Sequence, residues 1–519
     1  LLNKTKNHPS YKYYSQLSSR PTAKLQNYNF HSTSRNMGDE VALEMNTISS
    51  KSPIASVISN VQSFYTLEAA AGNKLAAQEP WLPITESRDG NAFYAAFHAL
   101  SSGLGFQALL LPLAFSSLGW TWGISCLCVV FVWQLYTMWL LIQLHESESG
   151  ARYSRYLGLS MAAFGEKFGK LLALFPVMYL SGGTCVTLIM IGGGAMRTFF
   201  HIICNIVGVG SLTTIEWYMV FTFTAVLLAL FLPNLNSVAR VSLVGAITAV
   251  SYCTLIWAAT VVQGRVAIDD HHHVAVSRGS DGVIDRICGV LNGVGIVALA
   301  FRGHNLVLEI QGTMPSSAKT PSREPMWRGV QIAYLIIGLC LFPLAIAGYW
   351  AYGDLVSTIK GTGAMLQALY KYHGRDTSKL ILGSASLLVV INCVSSFQIY
   401  AMPTFDNLEL RYTSKMNKPC PQWLRSALRL LFGCLTCFIA VALPFLPSLA
   451  GLIGGIALPL TLAYPCFMWI VMKKPGRYSR SWCLNWILGV SGMVLSVLVV
   501  TAAIWIIVTK GIGVHFFKP

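Results

Sequence analysis

Long apolar runs dominate the chain from about residue 93 onward, and polar residues collect in the segments between them. A helix built from any of these runs, rising 1.5 Å per residue, is long enough to cross about 30 Å of hydrocarbon. The runs do not show the ten-residue alternation of membrane-barrel strands. We therefore expect an all-α membrane protein with eleven transmembrane helices. The expected spans are residues 93–119, 121–143, 170–196, 216–234, 240–263, 287–311, 329–352, 378–402, 429–447, 449–472 and 483–509.

The first 90 residues have a different pattern, because they are rich in Ser, Asn, Lys and Tyr and contain no apolar run of spanning length. Such a segment buries too little apolar surface to order itself. We therefore expect two regions, a disordered cytoplasmic tail over residues 1–90 and a transmembrane domain over residues 91–519.

Composition supports the membrane assignment, since 54% of residues are hydrophobic and only 11% are charged. Soluble domains carry about 25% charged residues, so a soluble enzyme is excluded. The net charge of +16 is explained by basic cytoplasmic loops and implies no nucleic-acid partner. Most of the 37 Lys and Arg face the cytoplasm if the N-terminus is inside. We therefore expect a cytoplasmic N-terminus and an extracellular C-terminus.

Two of the expected spans are interrupted by small polar residues at similar depth. The first contains Ser101, Ser102, Gly103 and Gly105, and the sixth contains Arg302 followed by Gly303. Broken helices are tolerated in a membrane only where the freed backbone groups face protein or a water-filled cavity. Two such breaks five spans apart indicate inverted repeats and the central site of a transporter. The alternative is that both are glycine kinks at packing faces, as we expect for the glycine clusters at 182–183, 192–194 and 451–455.

Arg302 is the most informative of these residues. A cation near mid-bilayer costs about 2.5–3.5 kcal/mol on insertion scales and must find a partner. We therefore expect Arg302 to bind substrate or to close a gate. The alternative is a structural pair with Glu309 or with a helix dipole.

Other polar residues inside the spans are candidates for coupling or gating. His98 and His304 can carry a proton, because imidazole titrates near physiological pH. The alternative for both is that they only satisfy buried backbone groups. Glu309 lies near the cytoplasmic end of its span, where it can pair with an intracellular basic residue or simply anchor the helix.

The eighth span presents a polar face, because Asn392, Ser395 and Ser396 are spaced i, i+3 and i+4. Their oxygens can bind a cation or substrate, or they can merely tighten helix packing.

No nucleotide-binding or catalytic motif occurs in the chain, so we expect neither an enzyme nor an ATP-driven pump. The run from Asp269 to His273 has the composition of a metal site. It lies in an outer loop without a catalytic partner, and we expect a solvated loop, no metal site and no cofactor.

Several longer motifs resemble the amino acid/auxin permease family, and most strongly its plant lysine/histidine transporter-like branch. They are Trp81 to Arg88, Ala96-Phe97-His98, Gly105 to Leu109, Ala300 to Gln311, Pro325 to Gly329, Gln398 to Pro403 and Leu458 to Pro465. The resemblance implies a leucine-transporter-like fold of two inverted five-helix repeats plus one extra helix. It also implies proton-coupled amino acid uptake at the plasma membrane, with the proton gradient as the energy source.

By this resemblance the substrate meets the two broken segments, with help from the third and eighth spans. The expected substrate-binding residues are Ser101, Ser102, Gly103, Gly105, Phe106, Phe301, Arg302 and Gly303. The chain departs from better-known members in two places. Those members commonly have Gly-x-Gly where this chain has Gly105-Phe106-Gln107, and a small residue at the position of Arg302. Both changes favour acidic or small neutral substrates over a broad neutral and basic range.

The expected function is therefore symport of an amino acid by alternating access of a central site. One alternative is an amino acid sensor that signals through the tail without significant transport. A second is a transporter of an auxin-like organic acid, and a third is a membrane-embedded enzyme that uses the intramembrane His and Glu residues. The expected partners are the small-molecule substrate and the lipid bilayer, and the sequence sets no oligomeric state.

Overall fold

The computed structural model describes residues 79–147, 150–203, 212–232, 234–266, 282–317, 319–359, 364–443 and 446–509. Within these ranges the regular structure is helical, and the β-type pairing is an isolated bridge between Glu146 and Arg152. The α-helices are α1 Ala92–Gly103, α2 Leu111–Leu144, α3 Tyr156–Phe164, α4 Glu166–Ile203, α5 Thr214–Phe231, α6 Ala239–Gln263, α7 Val283–Ala300, α8 His304–Gly312, α9 Arg323–Tyr352, α10 Ala364–His373, α11 Lys379–Met416, α12 Gln422–Ala442, α13 Leu446–Leu458, α14 Tyr464–Lys473 and α15 Arg480–Thr509.

The described residues contain ten helical stretches long and apolar enough to span a membrane. The first stretch, Ala92–Leu144, has 53 residues and includes both of the first two expected spans. Gly119 interrupts it with a φ of 73°, so that the stretch divides where those two spans were expected to meet. The all-helical prediction is confirmed, whereas the count of eleven stays a prediction that depends on this division.

Several helices extend beyond their apolar runs. Helix α4 begins at Glu166 rather than at 170, and α11 continues to Met416 rather than ending at 402. The added turns are polar, so a search for apolar runs does not see them. They nevertheless form helix because Glu, Lys, Leu and Met all have high helix propensity.

The interruptions predicted in the first and sixth spans are both present. Helix α1 ends at Gly103, and a short 3-10 turn, Phe106–Leu110, precedes α2. Helix α7 ends at Ala300, and α8 begins at His304 after a non-helical linker. Gly303 in that linker has a φ of 129°, a conformation that strains any residue with a side chain. Both breaks therefore interrupt the regular backbone hydrogen bonding of their helices.

The residues before α1 are packed onto the helices. Leu82 and Ile84 are each 1% exposed. The carbonyl of Pro83 accepts a hydrogen bond from the amide of Leu235 (3.0 Å), and the amide of Gly90 donates to the carbonyl of Thr313 (3.0 Å). Residues 79–90 are thus part of the packed structure, although the transmembrane domain was expected to begin at residue 91, and residues 1–78 of the expected tail lie outside the described residues.

Glycine clusters allow close helix crossings at two of the three expected places. A β-carbon at Gly192 would lie 2.1 Å from the ring of Phe221, and one at Gly454 would lie 2.1 Å from the backbone oxygen of Gly295. Gly182 and Gly183, by contrast, have open space where a side chain would stand. The packing prediction is therefore wrong for that pair, because α4 turns this face away from its neighbours.

The crossing of α7 and α13 gives a stability prediction. Gly454→Ala places its β-carbon against backbone that cannot rotate away, so we expect a loss of about 1–3 kcal/mol from overpacking. Gly182→Ala is the matched control, because it adds the same atom in open space and gains helix propensity. Thermal unfolding of the purified proteins in detergent measures both. Equal unfolding midpoints for the two variants would contradict the close crossing.

Candidate functional site

Arg302 lies in the linker between α7 and α8, and it is 3% exposed. Its Nη1 donates a hydrogen bond to the Thr184 hydroxyl on α4 (3.0 Å). The guanidinium carbon stands 4.3 Å from the ring centroid of Phe106 and 4.6 Å from that of Tyr400. Two aromatic faces and one hydroxyl therefore surround the cation in place of water.

No carboxylate of the described residues lies within the 4.0 Å of an ion pair from Arg302. The Nε of Arg302 also has no hydrogen-bond partner there. The alternative pairing of Arg302 with Glu309 is therefore absent from this structure. A buried guanidinium without an anion retains the capacity to bind one, and carboxylates suit its planar donor fork.

The backbone carbonyls at the first break accept hydrogen bonds from side chains. The Ser101 carbonyl accepts from the Ser396 hydroxyl (3.2 Å), and the Ser102 carbonyl accepts from the Tyr400 hydroxyl (2.6 Å). The Gly103 carbonyl accepts from the Gln107 Nε2 (2.7 Å). Carbonyls at a helix end otherwise lack partners, so these three donors satisfy the groups that unwinding sets free.

Three polar atoms converge beside Gly105, around the position that a β-carbon would take. A β-carbon there would lie 3.0 Å from Gln107 Oε1, 3.6 Å from Arg302 Nη2 and 3.7 Å from Asn392 Oδ1. Both amide oxygens are buried without a hydrogen-bond donor in the structure. Their nitrogens are already engaged, with Asn392 Nδ2 donating to the Gly245 carbonyl (2.9 Å). One cationic donor and two free acceptors therefore surround a single point.

The polar face predicted on the eighth span lies along α11, and its members meet different neighbours. Asn392 and Ser396 reach the first break, as described above. Ser395 donates to the carbonyl of Ile391 in its own helix (2.8 Å) and lies against Gly245. The hydroxyl of Ser101 has no hydrogen-bond partner and also lies against Gly245, where a β-carbon would stand 2.6 Å from it. Helices α1 and α11 therefore both approach α6 closely at this glycine.

The two histidines lie away from Arg302. His98 Nδ1 hydrogen-bonds the Ser242 hydroxyl (2.7 Å) on α6. His304 Nε2 lies 3.0 Å from the Thr137 hydroxyl and 3.1 Å from the Gln134 carbonyl, both on α2. Both rings therefore join neighbouring helices, and their role as proton carriers stays a prediction.

A small cavity adjoins Arg302 on the side of α8. Phe301, the neighbour of Arg302 in the chain, packs its ring edge-on against that of Phe131, with 5.4 Å between the ring centroids. The hydroxyl of Tyr334 is buried there without a partner. Apart from Tyr334 and Arg302, the cavity is lined mainly by apolar or small residues: Ala99, Ser102, Met138, Gly303, Val307, Ile310, Met326 and Val330.

Sequence reasoning missed Tyr400, Thr184 and the hydrogen bonds of Gln107. Tyr400 was detectable, because it follows Ser396 by four residues and so extends the polar face of α11 by one turn. Thr184 lies 118 residues from Arg302 in the chain, and no spacing rule connects them. Among the described residues no group of His, Cys, Asp or Glu is placed to hold a metal ion. The run from Asp269 to His273 lies outside those residues.

Comparison with known proteins agrees with this architecture. Residues 88–509 match the family described as transmembrane amino acid transporter protein. The chain is 52% identical to lysine histidine transporter-like 8 of Arabidopsis thaliana, over 90% of this chain and 88% of that protein. It is 45% identical to lysine histidine transporter-like 7 of the same plant, over 86% of this chain and 91% of that protein.

Solved structures share the fold at low sequence identity. A Na⁺-coupled sialic acid symporter superposes with a TM-score of 0.52 and 11% identity, over 82% of this chain and 91% of that one. A manganese transporter of Eremococcus coleocola superposes with a TM-score of 0.52 and 12% identity, over 82% of this chain and 89% of that one. These likenesses confirm the leucine-transporter-like fold, and the relatives are named as transporters rather than enzymes. From the family match and the two plant relatives, we conclude that this chain belongs to the transmembrane amino acid transporter family.

Proposed function

We propose that this protein is a proton-coupled amino acid symporter of the plasma membrane that works by alternating access. The observation that carries the proposal is the convergence of Arg302 Nη2 with the unpaired oxygens of Gln107 and Asn392 beside Gly105. An α-amino acid has a carboxylate and an ammonium on one carbon. The guanidinium suits the carboxylate, and the two amide oxygens suit the ammonium.

The charge of the site favours small neutral or acidic amino acids as substrates. A lysine side chain would bring a second cation near Arg302, and the adjoining cavity has an apolar lining with no carboxylate to receive it. An extra carboxylate, by contrast, is attracted by the same guanidinium. We therefore expect lysine to be a poor substrate even though two relatives carry lysine in their names.

The polar pattern separates amino acids from auxin-like acids. An organic acid without an ammonium satisfies Arg302 but leaves the amide oxygens of Gln107 and Asn392 buried and unpaired. An unsatisfied buried polar group costs about 1–3 kcal/mol. The site therefore prefers the zwitterion.

The proton is favoured over sodium by the hydrogen bonds at the first break. The carbonyls of Ser101, Ser102 and Gly103 already accept from side-chain donors. A sodium ion bound there would compete with those donors for the carbonyl oxygens. It would also lie close to a fixed guanidinium, and like charges repel strongly at low dielectric.

Flux measurements on the full chain in proteoliposomes test the proposal. We expect an inward proton gradient to drive accumulation of a small neutral or acidic amino acid, with sodium dispensable and lysine taken up poorly. Uptake that needs sodium and ignores pH would contradict the coupling. Binding without any flux would instead favour the amino acid sensor.

Arg302 gives the sharpest mutational prediction. Removing one partner of a desolvated charged contact costs about 2–5 kcal/mol, so we expect Arg302→Ala to lower transport efficiency at least about thirtyfold. Arg302→Lys should recover only part of the lost transport efficiency, because an ammonium lacks the planar fork of donors. Thr184→Val is the matched control, since it removes the hydrogen bond but keeps the cation. Normal uptake by surface-expressed Arg302→Ala would show that the residue is structural.

The orientation is proposed from the excess of Lys and Arg in the loops assigned to the cytoplasm. With eleven spans, the ends of the chain lie on opposite sides. A tag at the C-terminus should react with an impermeant label in intact cells, whereas a tag at the N-terminus should be protected. Labelling in the reverse pattern would show that the orientation is wrong.

A further inference from the structure

A second charge centre lies away from Arg302, where α3, α8 and α11 come together. Arg155, just before α3, donates from Nε and Nη2 to the two carboxylate oxygens of Asp406 on α11 (2.5 and 3.2 Å). Asp406 is fully buried and also accepts from the amide of Ile84 (3.4 Å). Burial disfavours the charged form of Arg155, but the Asp406 carboxylate outweighs this and raises the pKa of Arg155 above its usual value. The pair is therefore a charged contact that joins the start of α3 to α11.

Glu309 lies near this ion pair but does not take part in it. The side chain is on α8, 2% exposed, and its Oε2 has no hydrogen-bond partner in the described structure. It is near enough for its charge to interact with those of Asp406 and Arg155. Two buried carboxylates thus compete for one guanidinium, and Asp406 holds it.

The other ionisable groups near Glu309 are paired, hydrogen-bonded or uncharged. Arg425 pairs with Glu409 (3.0 Å), and Arg152 pairs with Glu146 (3.7 Å). His98, on α1, is bonded to Ser242. Arg88 pairs with Glu79 on the segment before α1. His145, at the end of α2, has no hydrogen-bond partner on either ring nitrogen, and burial holds its pKa well below the usual value, so the ring is neutral. In the part of the chain that the structure describes, the cation that interacts with Glu309 is therefore Arg155.

A buried carboxylate without a partner is costly while ionised, and it lowers this cost by taking up a proton. In the arrangement observed, Glu309 is such a group. If the contact between Arg155 and Asp406 opens, Arg155 becomes available to Glu309, and water can enter. Both changes favour release of the proton.

We propose that Glu309 carries the transported proton and that Arg155 moves from Asp406 to Glu309 when this end of the protein opens. The inference rests on the proposed symport function and names its coupling group. The segment of residues 79–91 belongs to the same closure, because Ile84 bonds Asp406 and Gly90 bonds the end of α8 at Thr313. Opening therefore moves this segment, α8 and α11 apart from one another in a single event.

The test uses the full chain in proteoliposomes and compares two assays. Glu309→Gln mimics the protonated acid permanently, so accumulation driven by a proton gradient should fall at least tenfold. Exchange of labelled for unlabelled amino acid at equal pH, which needs no net proton movement, should stay within twofold of wild type. Glu146→Gln is the matched control, since it neutralises a paired carboxylate outside the cluster and should preserve both assays.

A second variant leaves Glu309 in place. Asp406→Asn frees Arg155 to pair with Glu309, which then holds its proton less firmly. The pH of half-maximal uptake should therefore move about one unit towards acid.

Glu309→Gln protein that still accumulates substrate on a proton gradient would overturn the inference. If Glu309→Gln does not fold, an unchanged pH profile in Asp406→Asn would overturn it. Failure of the wild-type protein to couple amino acid and proton fluxes would instead defeat the proposed function.

Discussion

A guanidinium held inside a helix bundle has to be solvated by protein groups, and this requirement organises the centre of the molecule. The insertion cost of such a charge is about 2.5–3.5 kcal/mol. A desolvated contact with one aromatic face returns about 2 kcal/mol. The rings of Phe106 and Tyr400, together with the Thr184 hydroxyl, therefore roughly offset the cost without a carboxylate. Because the cation is stabilised in this way, its charge stays available to a substrate.

The same contacts join the two broken helices to the rest of the bundle. Phe106 belongs to the 3-10 turn that follows α1, and Arg302 belongs to the break between α7 and α8. Tyr400 connects them, since its ring lies against Arg302 and its hydroxyl donates to the carbonyl of Ser102. A ligand that shifts Arg302 thus acts directly on both breaks and on α11.

Helix α8 connects the two charge centres. Arg302 precedes its first residue, and Glu309 lies near its last turn, seven residues further on. The two side chains do not pair in this structure, because the Arg302 guanidinium is held by Thr184, Phe106 and Tyr400 instead. If Arg302 contacts the substrate as proposed, a short rigid helix with that contact at one end and an acidic group at the other can transmit a displacement between them. Coupling of substrate to proton then needs no contact between Arg302 and Glu309.

The sequence predicted the features that carry a local energetic signature. Glycine and serine in mid-membrane predicted both breaks, and the cost of an intramembrane cation singled out Arg302. The pair of Arg155 and Asp406 had no such signature, because its members are 251 residues apart and Arg155 lies in a polar segment where a charge is ordinary. The interaction is created by the tertiary fold, which brings α3 and α11 together.

Residues 79–90 were placed in the tail for a related reason. A short segment with few apolar residues gives no hydropathy signal, although Leu82 and Ile84 are buried by helices that come later in the chain.

The fold itself does not select the coupling ion, since a Na⁺-coupled sialic acid symporter shares it at 11% identity. The selection has to come from side chains at the breaks. Here the carbonyls of Ser101, Ser102 and Gly103 are occupied by donors, and a permanent cation stands beside them. A sodium ion in this place would compete with three hydrogen-bond donors for its oxygen ligands and face a like charge, whereas a proton needs only one buried acid. In the proposed mechanism Glu309 supplies that acid at the other end of α8, so the guanidinium proposed to attract the substrate would also favour proton coupling over sodium coupling.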